Sequence, residues 1–202
     1  VCLGDALKLY GKEVTVDEIL PVLLEDKDFY DTTGGGVTLS GGECLMQADF
    51  CLELLCELKK AGINTAVDTC GYVARETLDK IMPYTDTFLY DIKCIDPVRH
   101  RNLTGADNAH ILSNLHCLMD RGADIIIRLP LVPDCNDSDE DIDRLSEFLS
   151  ENKGRYRYAE IMPYHTLGIG KSEKLDITTS YIHDSASDEE ISRWTSLFNS
   201  YY

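Results

Sequence analysis

Five short β-favouring runs alternate with segments of helical periodicity, and this alternation restricts the fold more than any other feature of the chain. The runs lie within 34–43, 63–69, 87–92, 124–131 and 157–162. Between them, Gln47 to Lys60 places Phe50, Cys51, Leu54, Leu55 and Leu58 on one helical face, and Gly62 supplies a stop. Arg75 to Met82 forms a short helix. Asn108 to Arg121 brings Ile111, Leu112, Leu115 and Leu118 together, and Ser138 to Ser150 does so for Ile142, Leu145, Phe148 and Leu149. Strands alternating with helices of this length predict a parallel sheet joined by helical crossovers. A closed eightfold barrel typically takes ~250 residues, and this chain has 202. The fold class expected is therefore α/β, an open partial (β/α) barrel.

Capping boxes mark two further helix starts. Thr15-Val16-Asp17-Glu18 opens the first helix, in which Pro21 predicts a kink or a late start. Ser187-Asp188-Glu189-Glu190 opens the last, which buries Ile191, Trp194, Leu197 and Phe198. The irregular stretch from Tyr164 to Tyr181 is over-long for a plain connection and is expected to cover a site.

Composition excludes whole classes of function. With 36 acidic against 19 basic residues the formal charge is −17, which repels a phosphate backbone, so no nucleic-acid partner is expected. No apolar run approaches the ~20 residues that cross a bilayer, so no membrane partner is expected either. The eight cysteines include no Cys-x-x-Cys pair, and they read as reduced thiols, most of them small core residues, in a reducing, cytoplasmic compartment.

Polar residues recur where the predicted strands end. Glu43, Asp68, Asp91 with Lys93, Arg128 and His165 each fall at or just past the C-terminal end of a different strand, the edge at which parallel sheets bind ligands. A strand end also carries polar residues simply because it meets water, but five in succession favour a site. Gly36-x-x-x-x-Gly41-Gly42-Glu43 has the outline of a phosphate loop, yet Glu43 stands where that loop needs Lys. Backbone N–H groups at Gly41 and Gly42 beside an acid suit a carboxylate and an ammonium together, as in an amino-acid-like ligand. Asp68 and Asp91 as neighbouring carboxylates call for a cation between them. Lys93 pairs with Asp91 or serves a ligand, and His165 is a loop residue or an aromatic edge against a purine.

Five segments then carry a resemblance: Gly-Gly-Gly-Val-Thr-Leu-Ser-Gly-Gly-Glu at 34–43, Val-Asp-Thr-Cys-Gly-Tyr at 67–72, Leu-Tyr-Asp-Ile-Lys at 89–93, Ile-Arg-Leu-Pro-Leu-Val-Pro at 127–133 and Met-Pro-Tyr-His-Thr-Leu-Gly at 162–168. In this order they resemble the glycyl-radical-enzyme activating enzymes of the radical S-adenosylmethionine superfamily. The resemblance implies an oxidoreductase in which a four-iron four-sulfur cluster and S-adenosylmethionine generate a 5′-deoxyadenosyl radical. That radical takes a hydrogen from one glycine of a partner glycyl radical enzyme such as pyruvate formate-lyase, with flavodoxin or ferredoxin as electron donor.

The same resemblance implies roles for residues. Gly41, Gly42 and Glu43 would hold the methionyl amino end, and Asp91, Ile92 and Lys93 would line the ribose and carboxylate side. Asp68, Thr69 and Asp91 would hold a monovalent cation, His165 would pack by adenine, and Lys93 and Arg128 would be the catalytic pair, with Arg128 facing the reaction chamber. The family's Cys-x-x-x-Cys-x-x-Cys loop is absent from the 202 residues, so the chain is expected to be a fragment, inactive alone, with the cluster ligands upstream. Residues 1–14 resemble the tail of an upstream ferredoxin-like segment, and 15–202 the partial barrel. Two other classes stay open on the residues alone. One is a barrel lyase or aldolase with Lys93 as amine nucleophile, the other a non-catalytic module that binds a partner through its acidic face.

Overall fold

The computed structural model describes residues 11–166, 184–198 and 201. Thr15 caps α1 (Val16–Leu24) by the predicted reciprocal box, its Oγ1 accepting from Glu18 N while Glu18 reaches back to Thr15 N. Pro21 lies inside α1 without delaying its start, and the helix ends three residues later, before α2 (Lys27–Thr33). There follow β1 (Gly36–Leu39), α3 (Ala48–Lys60), β2 (Asn64–Thr69), α4 (Arg75–Ile81), β3 (Thr87–Asp91) and α5 (Pro97–Thr104). The remainder is α6 (Ala109–Asp120), β4 (Ile125–Leu131), α7 (Asp139–Glu151), β5 (Tyr158–Pro163) and α8 (Asp188–Phe198).

Two helices have no counterpart in the sequence prediction. α5 starts on a signal that local patterning contains, Asp96-Pro97, where Asp96 accepts from Val98 N at 3.0 Å and Arg99 N at 2.9 Å. α2 has no side-chain cap and no buried residue, so it leaves little imprint on the pattern.

All neighbouring strands pair in parallel, in the order β1-β2-β3-β4-β5. The sheet has the organisation of a partial (β/α) barrel, with β1 and β5 as its edges among the described residues. Alternation along each strand separates two faces. Val37, Leu39, Val67, Phe88, Tyr90, Ile125, Ile127, Leu129, Leu131 and Ala159 are buried in one core with the helices. Leu54, Leu55 and Leu58 of α3 join that core, each burial contributing about 2 kcal/mol. On α8, Trp194 and Phe198 are fully buried, whereas Leu197 is 47% exposed and Ile191 only partly buried, so the inward face is narrower than predicted.

The opposite face carries Thr38, Ala66, Thr87, Leu89 and Ile126, which line a cavity of about 440 Å³ in its lower half. Further toward the C-terminal ends, the same pleat phase presents Asp68, Asp91, Arg128 and Glu160. The strand pairing that fixes this face also fixes which polar residues meet on it. Of the long connection from Tyr164 to Tyr181, residues 167–181 lie outside the described residues, as do the first ten residues of the proposed upstream tail.

Candidate functional site

Asp91, Arg128 and Glu160 lie opposite one another on β3, β4 and β5, because the register pairs Asp91 with Arg128 and Arg128 with Glu160. Asp68 on β2 is opposite Leu89, two residues before Asp91, and so joins them on the same face. Arg128 Nη1 contacts Asp68 Oδ1 at 2.8 Å, and its Nε lies 3.7 Å from both Asp91 Oδ1 and Glu160 Oε1. Ser40 Oγ donates to the other Asp68 oxygen at 2.7 Å. One guanidinium thus serves three carboxylates. At 3.7 Å the Asp91 and Glu160 contacts are ion pairs without a hydrogen bond, and Asp91 Oδ1 and Arg128 Nε are buried atoms with no hydrogen-bond partner.

Burial pushes the Asp91 carboxyl above the ordinary carboxylate range. Arg128 and Lys93 oppose the rise, while the charges of Asp68 and Glu43 add to it. A half-satisfied buried carboxylate of this kind is costly to stability, and perturbed carboxyls cluster at functional sites.

Glu43 occupies a different environment from the one expected. Thr69 Oγ1 lies 2.9 Å from each of its oxygens, and Cys70 N donates at 3.0 Å, Cys70 Sγ at 3.2 Å and Leu45 N at 3.2 Å. Its carboxylate is a clamp between the β1 loop and the end of β2, not an open anion awaiting an ammonium. Gly41 and Gly42 have φ of 102° and 41°, with nothing within 4 Å of where a Cβ would stand on either. Glycine is therefore needed there for backbone conformation, and the loop surface above it is left clear for a ligand.

Thr69 being committed to Glu43 alters the expected cation set. Asp68 and Asp91 both face the guanidinium of Arg128, which supplies part of the positive charge that two neighbouring carboxylates call for. Among the described residues, no group of three or more His, Cys, Asp or Glu side chains could hold a metal ion. Arg128 itself lies in the middle of β4, not at its end, and reaches the site through register.

Lys93 follows β3, with Ile92 buried beneath it. Its ammonium pairs with no described carboxylate and lines a cavity of about 220 Å³ with Cys70, Tyr72, Asp91, His100 and Thr104. Asn136 anchors this turn: its Nδ2 donates to Lys93 O at 2.6 Å and Pro130 O at 2.7 Å, and its Oδ1 accepts from Val132 N at 2.8 Å. His165 lies two residues past β5 and is exposed, and no described contact brings it to the carboxylate cluster.

Sequence reasoning missed Glu160, Ser40 and Asn136. Glu160 had a signal, a lone acid between Ala159 and Ile161-Met162 in a strand, and Ser40 adjoins Gly41. Asn136 had none, since one of its partners is 43 residues away. The described thiols at 44, 51, 56, 70, 94, 117 and 135 are free, but only Cys51 and Cys94 are buried, so most are not core residues as expected.

Comparison with known proteins agrees with this fold. The sequence profile of the Radical SAM superfamily matches residues 4–147. The choline trimethylamine-lyase activating enzyme of Oleidesulfovibrio alaskensis is 45% identical over 174 residues, 85% of this chain and 56% of that protein. The pyruvate formate-lyase-activating enzyme of Listeria monocytogenes is 36% identical over 187 residues, 90% of this chain and 75% of that protein. A crystal structure of a domain of pyruvate-formate lyase-activating enzyme from Bacteroides vulgatus superposes with a TM-score of 0.67 at 26% identity, covering 83% of this chain and 94% of that one. The chain spans little more than half the length, 56%, of the choline trimethylamine-lyase and isethionate sulfite-lyase activating enzymes of Oleidesulfovibrio alaskensis.

Proposed function

This chain belongs to the radical SAM superfamily, and on that premise we propose that it is the S-adenosylmethionine-binding core of an activating enzyme that installs a glycyl radical on a partner enzyme. The observation that carries the reading is the incomplete polar set that β2 to β5 bring together on one face of the sheet. Asp91 Oδ1 and Arg128 Nε are buried without hydrogen bonds, and Lys93, which pairs with no described carboxylate, lines the adjoining cavity. These residues fit a ligand that bears hydroxyls, a carboxylate and positive charge. S-adenosylmethionine would supply, when bound and reduced, the radical chemistry that takes hydrogen from a glycine α-carbon.

The chain's own residues bind and orient. Lys93 receives the carboxylate, and Asp91, with Ile92 beneath, takes the ribose hydroxyls through the part of its carboxyl that lines the cavity. Gly41 and Gly42 leave the loop backbone free to meet the amino end, while Glu43 holds that loop against Thr69 and Cys70. Arg128 orients Asp68 and Asp91 at the wall of the reaction chamber, and His165 packs by the adenine. No cysteine set among the described residues fits an iron–sulfur cluster, so the cluster's ligands are not assigned to this chain. The partner is a glycyl radical enzyme, the electron donor a flavodoxin or ferredoxin, and the compartment the cytoplasm.

Two measurements test this reading. Protein that carries a cluster-binding loop, loaded anaerobically with iron and sulfide and then reduced, is expected to convert S-adenosylmethionine to 5′-deoxyadenosine, and absence of that product from cluster-loaded protein refutes the activity. Asp91→Ala and Lys93→Ala are each expected to weaken S-adenosylmethionine binding about tenfold or more, the worth of one charge-assisted hydrogen bond. Unchanged affinity removes the residue from the site.

A further inference from the structure

The short helix α5 buries a single side chain, and that side chain is an imidazole. Of Pro97–Thr104 only His100 is buried, at 3% exposure, and it lines the same cavity as Asp91 and Lys93. Its Nδ1 lies 2.7 Å from Ala106 O, and because a carbonyl oxygen can only accept, Nδ1 carries the proton of the neutral ring. Thr104 Oγ1, 3.1 Å from the same nitrogen, spends its own proton on the backbone, donating to His100 O at 2.8 Å. Nε2 is then an acceptor, and it has no partner among the described residues. Anchoring the C-terminal turn of α5 uses Nδ1 alone, so it fixes the tautomer and leaves the second nitrogen unexplained.

The other polar groups of this cavity are poor acceptors or are already engaged. Lys93 can only donate. Cys70 Sγ donates to Glu43 at 3.2 Å, and sulfur accepts weakly. Asp91 offers half of its carboxyl, because Oδ1 is buried 3.7 Å from Arg128 Nε and Oδ2 is the oxygen left for a ligand. Two adjacent hydroxyls on one sugar ring call for two acceptors, of which Oδ2 supplies one. His100 Nε2 is a second, on the wall of the same cavity.

Resting on the proposed function, we infer that His100 is a further cofactor-binding residue, whose Nε2 accepts a hydrogen bond from one ribose hydroxyl of S-adenosylmethionine while Asp91 Oδ2 accepts from the other. The ligand hydroxyl thereby satisfies a nitrogen that the fold holds in place and leaves bare. A site that hydrogen-bonds a hydroxyl rejects the analogue without it, since the protein's acceptor is then left unpaired. The pair His100 and Asp91 therefore reads an intact diol.

The test is calorimetric titration with S-adenosylmethionine and with its 2′-deoxy and 3′-deoxy counterparts. His100→Asn places an amide Nδ2 where Nδ1 stood, which keeps the donation to Ala106 O, and removes Nε2. It is expected to weaken S-adenosylmethionine about fivefold, the worth of one neutral hydrogen bond. One deoxy analogue, the one lacking the hydroxyl that His100 meets, should bind wild type and variant within about twofold of each other, while the other keeps the fivefold loss. A second readout needs no variant: the Nε2 nitrogen resonance of His100 in wild-type protein should shift on addition of S-adenosylmethionine and stay in place with that same deoxy analogue. Unchanged affinity for S-adenosylmethionine, an equal loss for all three ligands, or a resonance that S-adenosylmethionine leaves unmoved overturns the inference while leaving the cofactor site standing. If wild-type protein does not bind S-adenosylmethionine, the reading of the site itself fails and takes this inference with it.

Discussion

Asn136 is the tether on which the Lys93 turn depends, and removing it gives a sharp test. The side chain is 4% exposed and makes three hydrogen bonds, to Lys93 O, to Pro130 O and from Val132 N, at 2.6, 2.7 and 2.8 Å. Asn136→Ala removes all three and leaves two carbonyls and one N–H of partly buried backbone without partners. At about 1 kcal/mol for each bond, the expected loss is about 3 kcal/mol, readable as a lowered midpoint in urea unfolding. Because the tether joins the turn after β3 to the turn after β4, S-adenosylmethionine affinity should fall as well, through Lys93. Asn136→Asp keeps the acceptor for Val132 N but turns a carboxylate toward two carbonyls, and should be at least as damaging at neutral pH. A loss below about 1 kcal/mol for Asn136→Ala would show that water replaces these bonds freely, and that the Lys93 turn is held by something else.

Two further outcomes follow from the same geometry. Gly71 has φ of 72°, and a Cβ there would lie 1.6 Å from Tyr90 Oη, which is buried and donates to Ile111 O at 2.7 Å. Gly71→Ala should cost about 3 kcal/mol from overpacking and backbone strain together, and an unchanged melting temperature refutes this. Asp91 carries a carboxyl raised by burial, so the folded state holds its proton more tightly than the unfolded chain does. Its contribution to stability is therefore greatest below the ordinary carboxylate pKa and falls as pH rises through the raised one. Asp91→Asn should flatten that part of the stability–pH profile and raise stability at pH 7, while weakening S-adenosylmethionine binding; an unaltered profile refutes the burial argument.

Much of the architecture is legible in local pattern. The five strands, the long amphipathic helices α3, α6 and α7, and both capping boxes follow from periodicity and from Ser or Thr followed three residues later by Glu. α5 escapes a reading by periodicity although Asp96-Pro97 announces it, because its outward residues, including Val98 and Leu103, give no apolar stripe. At the site, the positions of Asp68, Asp91 and Lys93 near strand ends are readable, since strand ends are local events. The partners of Glu43, Thr69 and Arg128 are not.

The residue order alone determined that this chain forms parallel strands with crossover helices, because the repeat of two along strands and of about 3.6 along helices is written in consecutive side chains. It also determined that glycines and acids collect where those strands end. Only the tertiary structure decided that Arg128 stands between Asp68, Asp91 and Glu160, that Glu43 is spent on Thr69 and Cys70, and that Lys93 pairs with no described carboxylate. Those facts depend on strand register and pleat phase, and a shift of one residue between neighbouring strands would turn each of these side chains to the other face.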